Sequence, residues 1–214
     1  MVDKTEFWKI FSGYGQRITP FQYLFYFAAL FLVIWLFSKP GKLQNALMKV
    51  FLSLCFVWNG IFFYLLYAAG LSGDSFSSVI FAMLFFVVAG LFLSDVFRGK
   101  MVFSLPEVQD RTGTLVFSVL IFCYPLFGFL LGHPVTGLAF PGTYPCPTTA
   151  LALLLLTTSL PRVDRVIYSI LILCAIPFTP FIQIARYGVY EDVILLAAGF
   201  QSLIRLIRII FNRL

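Results

Sequence analysis

Residues 76–97 read FSSVIFAMLFFVVAGLFLSDVF, an apolar run with a single charged residue near its end. A helix needs about 20 such residues to cross the roughly 30 Å hydrocarbon core of a bilayer. A transmembrane β-strand would show alternating polarity over roughly ten residues instead. The run therefore predicts a transmembrane helix.

The composition extends this prediction to the whole chain of 214 residues. Hydrophobic residues make up 61% and charged residues 11%, with a mean hydropathy of +0.97. A soluble domain averages about 45–50% apolar and about 25% charged residues. These values exclude a soluble globule, a disordered chain and a coiled coil. We expect an all-α integral membrane protein whose residues 1–214 form a single domain.

Seven apolar segments predict a bundle of about seven transmembrane helices. The segments are 18–37, 50–69, 76–97, 113–131, 148–160, 166–184 and 193–211. The fifth is too short, since at 1.5 Å per residue it reaches only about 20 Å. Pro147 and Pro161 bracket it, so it cannot extend as a regular helix. Either the preceding loop is re-entrant or the bilayer thins there.

Residues 1–17 are expected to form a short amphipathic helix at the membrane interface. Its aromatic face follows helical spacing and consists of Phe7, Phe11 and Tyr14. Gly13 and Gly15 are expected to break this helix before the first span.

The basic residues predict an orientation. Eleven Lys and Arg lie on one side of the predicted membrane, in its loops and at the C-terminal end, against four on the other side. The positive-inside rule then places the C-terminus in the cytoplasm and the N-terminus outside, in a cytoplasmic (inner) membrane. Basic residues spread over short loops do not indicate nucleic-acid binding.

The loop 132–149, GHPVTGLAFPGTYPCPTT, is the leading candidate for a site. It contains the chain's one histidine and four of its eleven prolines, and it has no charged residue. Irregular backbone at membrane depth is tolerated only when it is buried in protein or lines a cavity. The loop is therefore expected to fold against or into the membrane domain.

Cys146 and His133 are the candidate metal ligands of this loop. Pro147 suits the first position of a helix, which would make Cys146 the N-cap and lower the pKa of its thiol. A soft metal ion could bind that thiolate together with the His133 imidazole. The pair alone does not complete a metal site. The alternative is that Pro-Cys-Pro shapes a turn and the sulfur fills space.

Other polar groups complete the predicted ligand-binding set, which consists of Tyr124, His133, Cys146, Thr148, Thr149 and Asn59. Asn59 is favoured as a hydrogen-bonding link between helices over a ligand contact. Asp95 is expected to cap its helix at the interface. We find no paired carboxylates and no acid deep in the spans, so the sequence indicates no catalytic residues.

The loop motif resembles an uncharacterised bacterial polytopic membrane family, a domain of unknown function. The resemblance rests on the Gly-His pair followed by Pro-Cys-Pro-Thr-Thr, and it extends over nearly the whole chain. It marks as family-like positions His133, Pro145, Cys146, Pro147, Thr148 and Thr149. It implies no activity.

Three functions remain open. The first and favoured one is a membrane permease, or a transport protein binding a small ligand or metal, with its site under the 132–149 loop. A soft metal or small neutral solute would suit that site better than a strongly charged one. The second is a membrane-embedded thiol or metal-dependent enzyme, although the sequence favours a non-enzyme. The third is a non-catalytic subunit of a larger membrane complex, as a homo-oligomer or beside a partner subunit.

Overall fold

The computed structural model describes residues 4–69, 75–105 and 108–211, and within these ranges the fold is all-α. Eight α-helices occur there: α1 (Lys4–Ser38), α2 (Lys42–Trp58), α3 (Ser75–Arg98), α4 (Val108–Phe122), α5 (Tyr124–Leu130), α6 (Pro145–Thr158), α7 (Arg165–Ala175) and α8 (Val193–Phe211). π-Helical stretches follow α2 (Asn59–Ala68) and α7 (Thr179–Tyr187). Short 3₁₀ turns cover Val135–Gly137 and Tyr190–Asp192. The prediction of an all-α fold is confirmed for these residues.

Several helices are long and apolar enough to cross a membrane. Four qualify among the described residues: Lys4–Ser38, Lys42–Ala68, Phe76–Arg98 and Arg165–Tyr187. Helices α4 and α5 would form a fifth as one broken span, bent by 53°. These helices indicate an integral multi-pass membrane protein, and their number is smaller than the seven spans predicted.

The N-terminal segment is not a separate helix, because α1 runs without a break through Gly13 and Gly15. Its aromatic face also packs against the rest of the protein. Phe7, Phe11 and Tyr14 are buried in a cluster with residues of the 132–144 loop. The expected break is therefore wrong, and the glycines have another role at this packing surface.

The short helix α6 lies at the centre of the fold. Every residue from Pro145 to Thr158 is buried except Cys146, which is half-buried. Its side chains belong to the main core, together with those of α2, α3, α7 and α8. The shortness of α6 is thus accommodated by neighbouring helices, since its polar ends do not face the lipid directly.

The end of the fold opposite the 132–149 loop is held by a buried ion pair. Lys49 Nζ lies 2.7 Å from Asp95 Oδ2, with both side chains about 95% buried. Asp95 also accepts hydrogen bonds from the backbone N–H groups of Lys100 and Met101. Asp95 was expected as an interfacial cap, but it instead joins α3 to α2 inside the protein.

Candidate functional site

The 132–144 loop is built into the protein, as the sequence predicted for an uncharged Pro/Gly-rich segment. It is buried from Gly137 onward. Helix α1 approaches it so closely at Gly15 that a Cβ atom there would lie 1.7 Å from the carbonyl oxygen of Thr136. Gly142 has φ +101°, a conformation that favours glycine, and it packs against Phe25. Gly15 lets the backbones of α1 and the loop approach each other, and Gly142 leaves room for the Phe25 side chain.

Hydrogen bonds from α1 and α2 fix the loop. Tyr14 donates its hydroxyl to the carbonyl oxygen of Thr143 at 2.7 Å. The Asn59 amide donates to the carbonyl oxygens of Cys55 at 2.8 Å and Gly142 at 3.1 Å. Asn59 therefore links α2 to the loop, in agreement with its favoured role.

Thr148 and Thr149 have different surroundings. The Thr148 hydroxyl accepts from the Gly142 N–H at 2.8 Å and donates to the Tyr144 carbonyl oxygen at 2.6 Å. Both of its hydrogen-bonding functions hold the loop onto the first turn of α6. Thr149 lines a cavity described below. Of the two predicted threonines, Thr149 is thus the one placed to meet a ligand.

Cys146 does not have the environment that the sequence predicted. Helix α6 begins at Pro145 with Tyr144 as its N-cap residue, so Cys146 lies inside the first turn. Its thiol interacts with the buried carboxylate of Asp192. The expectation that Cys146 is the N-cap is therefore wrong, and the carboxylate beside its sulfur would repel a thiolate.

His133 contacts α1 and the segment before α8. Its ring centroid lies 3.9 Å from that of Trp8, and Nδ1 lies 3.2 Å from Oε1 of Glu191. A Cβ atom at Gly128 would come within 3.5 Å of both of these polar atoms, so the glycine makes room for the pair. Burial lowers the pKa of His133, and the charge of Lys4 lowers it further. A neutral imidazole beside Glu191 is the favoured state.

Two adjacent carboxyl groups, Glu191 and Asp192, are buried just before α8. Burial raises the pKa of Glu191 to about 7 and that of Asp192 to about 6. The Tyr124 hydroxyl donates to Oδ1 of Asp192 and counteracts part of this rise. Within the described part of the chain, Oδ2 of Asp192 and Oε2 of Glu191 have no hydrogen-bond partner, and Oε1 of Glu191 has the His133 Nδ1 contact at 3.2 Å. Such groups are costly to bury unless something else binds them.

Sequence reasoning missed these two acids. At the start of an apolar segment, adjacent Glu and Asp are typical of exposed residues in a first helical turn, where the helix dipole favours them. Their burial comes from Tyr124 and His133, which are more than 50 residues away in the chain. The sequence-based expectation concerned acids deep in the spans, and it did not consider these two residues because they lie just before α8.

The predicted metal ligands face different partners. His133 contacts Glu191, whereas the Cys146 thiol interacts with Asp192. Among residues 4–69, 75–105 and 108–211, no group of three or more His, Cys, Asp and Glu could hold a metal ion. The geometry gives a metal site at His133 and Cys146 no support.

A cavity of about 200 Å³ lies beside the loop, between α1, α3, α6, α7, α8 and the π-helical stretches that follow α2 and α7. Its aromatic lining consists of Phe7, Phe11, Phe63, Tyr64, Phe81, Phe85, Tyr144, Phe178 and Tyr187. Its polar lining consists of Ser77, Ser78, Cys146, Thr149, Cys174, Thr179, Gln183 and Asp192. A concave, mostly apolar space with a few polar groups is the usual form of a small-molecule site.

The cavity brings together only part of the predicted set. Cys146 and Thr149 line it. Tyr124 reaches it indirectly, through its hydrogen bond to Asp192. The described lining includes none of the remaining predicted ligand residues, Asn59, His133 and Thr148, which instead hold the loop in place.

Comparison with known proteins identifies a family whose function is unknown. A model described as a family of unknown function (DUF6064) matches residues 4–213, nearly the whole chain. No curated protein and no solved structure matches the chain. The function must therefore be inferred from the site itself.

Proposed function

The chain belongs to DUF6064, a family of unknown function, and we propose that it is a membrane permease that binds a small solute in the cavity beside the 132–149 loop. We further take the family to be a bacterial one of inner-membrane proteins, with the Gly-His and Pro-Cys-Pro-Thr-Thr residues as its core motif. The observation that carries the proposal is the cavity of about 200 Å³, which the loop residues Tyr144–Pro147 line.

The proposed permease crosses the membrane seven times. Counting α4 with α5 as one crossing, and α6 and α8 as one each, adds three to the four long helices. Contacts at the two ends of the helices support this alternation. The start of α1 contacts His133, which follows the end of α5. It also contacts Tyr187, the last residue of the π-helical stretch after α7. The start of α2 contacts the end of α3 at the other end. Each helix then runs opposite to the one before it.

The orientation in the membrane follows from which helix ends lie together on each side of the bundle. The end with the Lys49–Asp95 pair carries the basic loops, so we place it in the cytoplasm with the C-terminus. The N-terminus, the 132–149 loop and Glu191 then lie on the outer side. The cavity is in the outer half of the bundle, closed from above by the first turns of α1 and the loop. In this arrangement α6 is a short helix entered through a buried loop, a form that marks binding sites in transporters.

The size of the cavity sets the size of the solute. A protein cavity of about 150 Å³ lined by apolar side chains is large enough for benzene. A solute of one small ring, or a short branched chain, would therefore fill the space here. The buried, uncharged loop suits a closing element over such a solute, because its polar backbone groups are already hydrogen-bonded to α1 and α2.

The alternatives are less well supported. A thiol enzyme would need a positively charged neighbour to stabilise a thiolate, whereas the charged group beside Cys146 is the Asp192 carboxylate. A purely structural subunit would leave the cavity without a purpose, although the well-packed loop is compatible with that role.

Protection of Cys146 from alkylation by N-ethylmaleimide tests the cavity as a binding site. The rate is followed by peptide mass spectrometry with and without benzyl alcohol, and Cys123, which does not line the cavity, gives the reference rate. We expect benzyl alcohol to slow the reaction of Cys146 and to leave that of Cys123 unchanged.

A matched pair of variants locates the effect. Cys174→Phe places a ring in the cavity and should protect Cys146 without any probe. Leu173→Phe changes the neighbouring residue, whose side chain is 63% exposed on the outside of the bundle, and should leave the rate unchanged. Equal rates in the two variants, and no effect of benzyl alcohol, would contradict the proposal.

A further inference from the structure

We propose that the solute is a small organic cation, a protonated amine with a short apolar body, whose ammonium group pairs with Asp192. This inference rests on the proposed function and names the class of its substrate. It replaces the sequence-based expectation of a neutral solute or soft metal, because that expectation was made without the buried carboxylate.

The charge of the cavity points to a cation. Of the described residues that line it, Asp192 is the one whose side chain carries a charge at neutral pH. It is completely buried, and the described part of the chain offers it no Lys or Arg within ion-pair distance. A buried carboxylate is stable only when it is paired or fully hydrogen-bonded. A ligand that brings its own positive charge meets this requirement.

The hydrogen bonds of Asp192 leave one acceptor open. Oδ1 accepts from Tyr124, and the weak S–H donor of Cys146 lies close by. Oδ2 is buried and has no hydrogen-bond partner among the described residues. An ammonium group has N–H donors to satisfy that oxygen, whereas an ether or a hydrocarbon has none.

The aromatic lining favours the same class of ligand. Nine of the described residues that line the cavity are aromatic. The face of an aromatic ring attracts a cation, and rings around a cavity are a recognised way to bind ammonium groups. The same faces and the Asp192 carboxylate repel an anion.

The other buried acid provides a matched control. Glu191 precedes Asp192 in the chain and is equally buried, but it contacts His133 and is not in the described lining of the cavity. Removing its charge changes the electrostatics nearby without removing the group that would contact the amine.

Three probes of one shape test the inference on the unmodified protein. Benzylamine, benzyl alcohol and benzoate carry a positive, a zero and a negative charge on the same ring. Their half-protecting concentrations against Cys146 alkylation are measured at pH 8, with Cys123 as the internal reference. We expect benzylamine to protect at a concentration about tenfold or more below that of benzyl alcohol, and benzoate to protect least. Benzoate protecting as well as benzylamine would overturn the inference.

Two variants then identify the partner of the amine. In Asp192→Asn we expect benzylamine to lose its advantage, and the retained protection by benzyl alcohol shows that the cavity is still folded. In Glu191→Gln we expect the advantage to remain. An advantage that survives Asp192→Asn, or that Glu191→Gln abolishes, would overturn the role given to Asp192.

The two proposals fail in distinguishable ways. If benzyl alcohol protects and benzylamine has no advantage, the cavity is a solute site and the cationic class is wrong. If no probe protects Cys146, the cavity is not a solute site and both proposals are wrong.

Discussion

Gly15 gives the sharpest test of how the loop is seated. Replacing it with alanine places a methyl group 1.7 Å from the Thr136 carbonyl oxygen and 2.8 Å from the Tyr144 hydroxyl. The first of these atoms belongs to the backbone, so the contact can be relieved only by moving the loop away from α1. Gly13, two residues earlier in the same helix, has no atom within 4 Å of the corresponding position in the described structure.

The magnitude follows from comparing the two variants. Alanine stabilises a helix interior by about 1 kcal/mol relative to glycine, and this gain applies equally to Gly13→Ala and Gly15→Ala. Overpacking against a well-packed neighbour costs about 1–3 kcal/mol, and more where backbone must shift. Because the helix gain cancels, Gly15→Ala should be less stable than Gly13→Ala by about 1–3 kcal/mol or more.

Thermal unfolding in detergent measures this difference. For a chain of this size, 1 kcal/mol corresponds to about 2–4 °C in Tm, so the two variants should differ by several degrees. Gly15→Ala should also expose Cys146 and increase its alkylation rate, whereas Gly13→Ala should not. A Gly15→Ala protein that melts at or above the temperature of Gly13→Ala would refute the close contact between α1 and the loop.

Two further predictions concern buried charges. Asp95→Ala leaves Lys49 buried without its partner and should cost about 3–5 kcal/mol in unfolding free energy. Lys100→Ala removes a 3.9 Å ion pair with Asp164 in which the Lys100 side chain is exposed, and it should cost less than about 1 kcal/mol. Similar losses for the two variants in urea unfolding would contradict the burial of Asp95. Glu191, with its pKa raised to about 7, is protonated in the folded protein over a range where the unfolded chain is ionised, so its contribution to stability is lost as the pH rises from about 4.5 to 7. Relative to the parent, Glu191→Gln should therefore gain stability over this range, by up to about 1.4 kcal/mol per pH unit; parallel pH profiles would show that Glu191 is not desolvated.

The helical fold and the burial of the 132–149 loop could be predicted because both depend on local sequence. Apolar runs such as 76–97 predict helices of membrane length whatever their neighbours are. The lack of charge in the 132–149 loop, together with its prolines and glycines, indicated a buried irregular segment, and the loop is buried from Gly137 onward.

The electrostatics of the site could not be predicted, because they arise from contacts between distant parts of the chain. From the sequence alone, Asp192 is expected to be exposed to solvent, and only the approach of Tyr124 and Cys146 gives it a buried environment. Gly15 has the propensity of a helix breaker, but its position against Thr136 shows that close packing explains it. Local propensity gives way to tertiary contacts in both cases.

The two-sided accessibility of Cys146 tests the permease most directly. Cys55, Cys123 and Cys174 are replaced by alanine, and the protein is treated with a membrane-impermeant methanethiosulfonate in sealed right-side-out and inside-out vesicles. A permease must open its site to each side in turn, so we expect Cys146 to react in both preparations and to be protected by solute in both. Reaction in one preparation alone, or in neither, would contradict transport through this cavity.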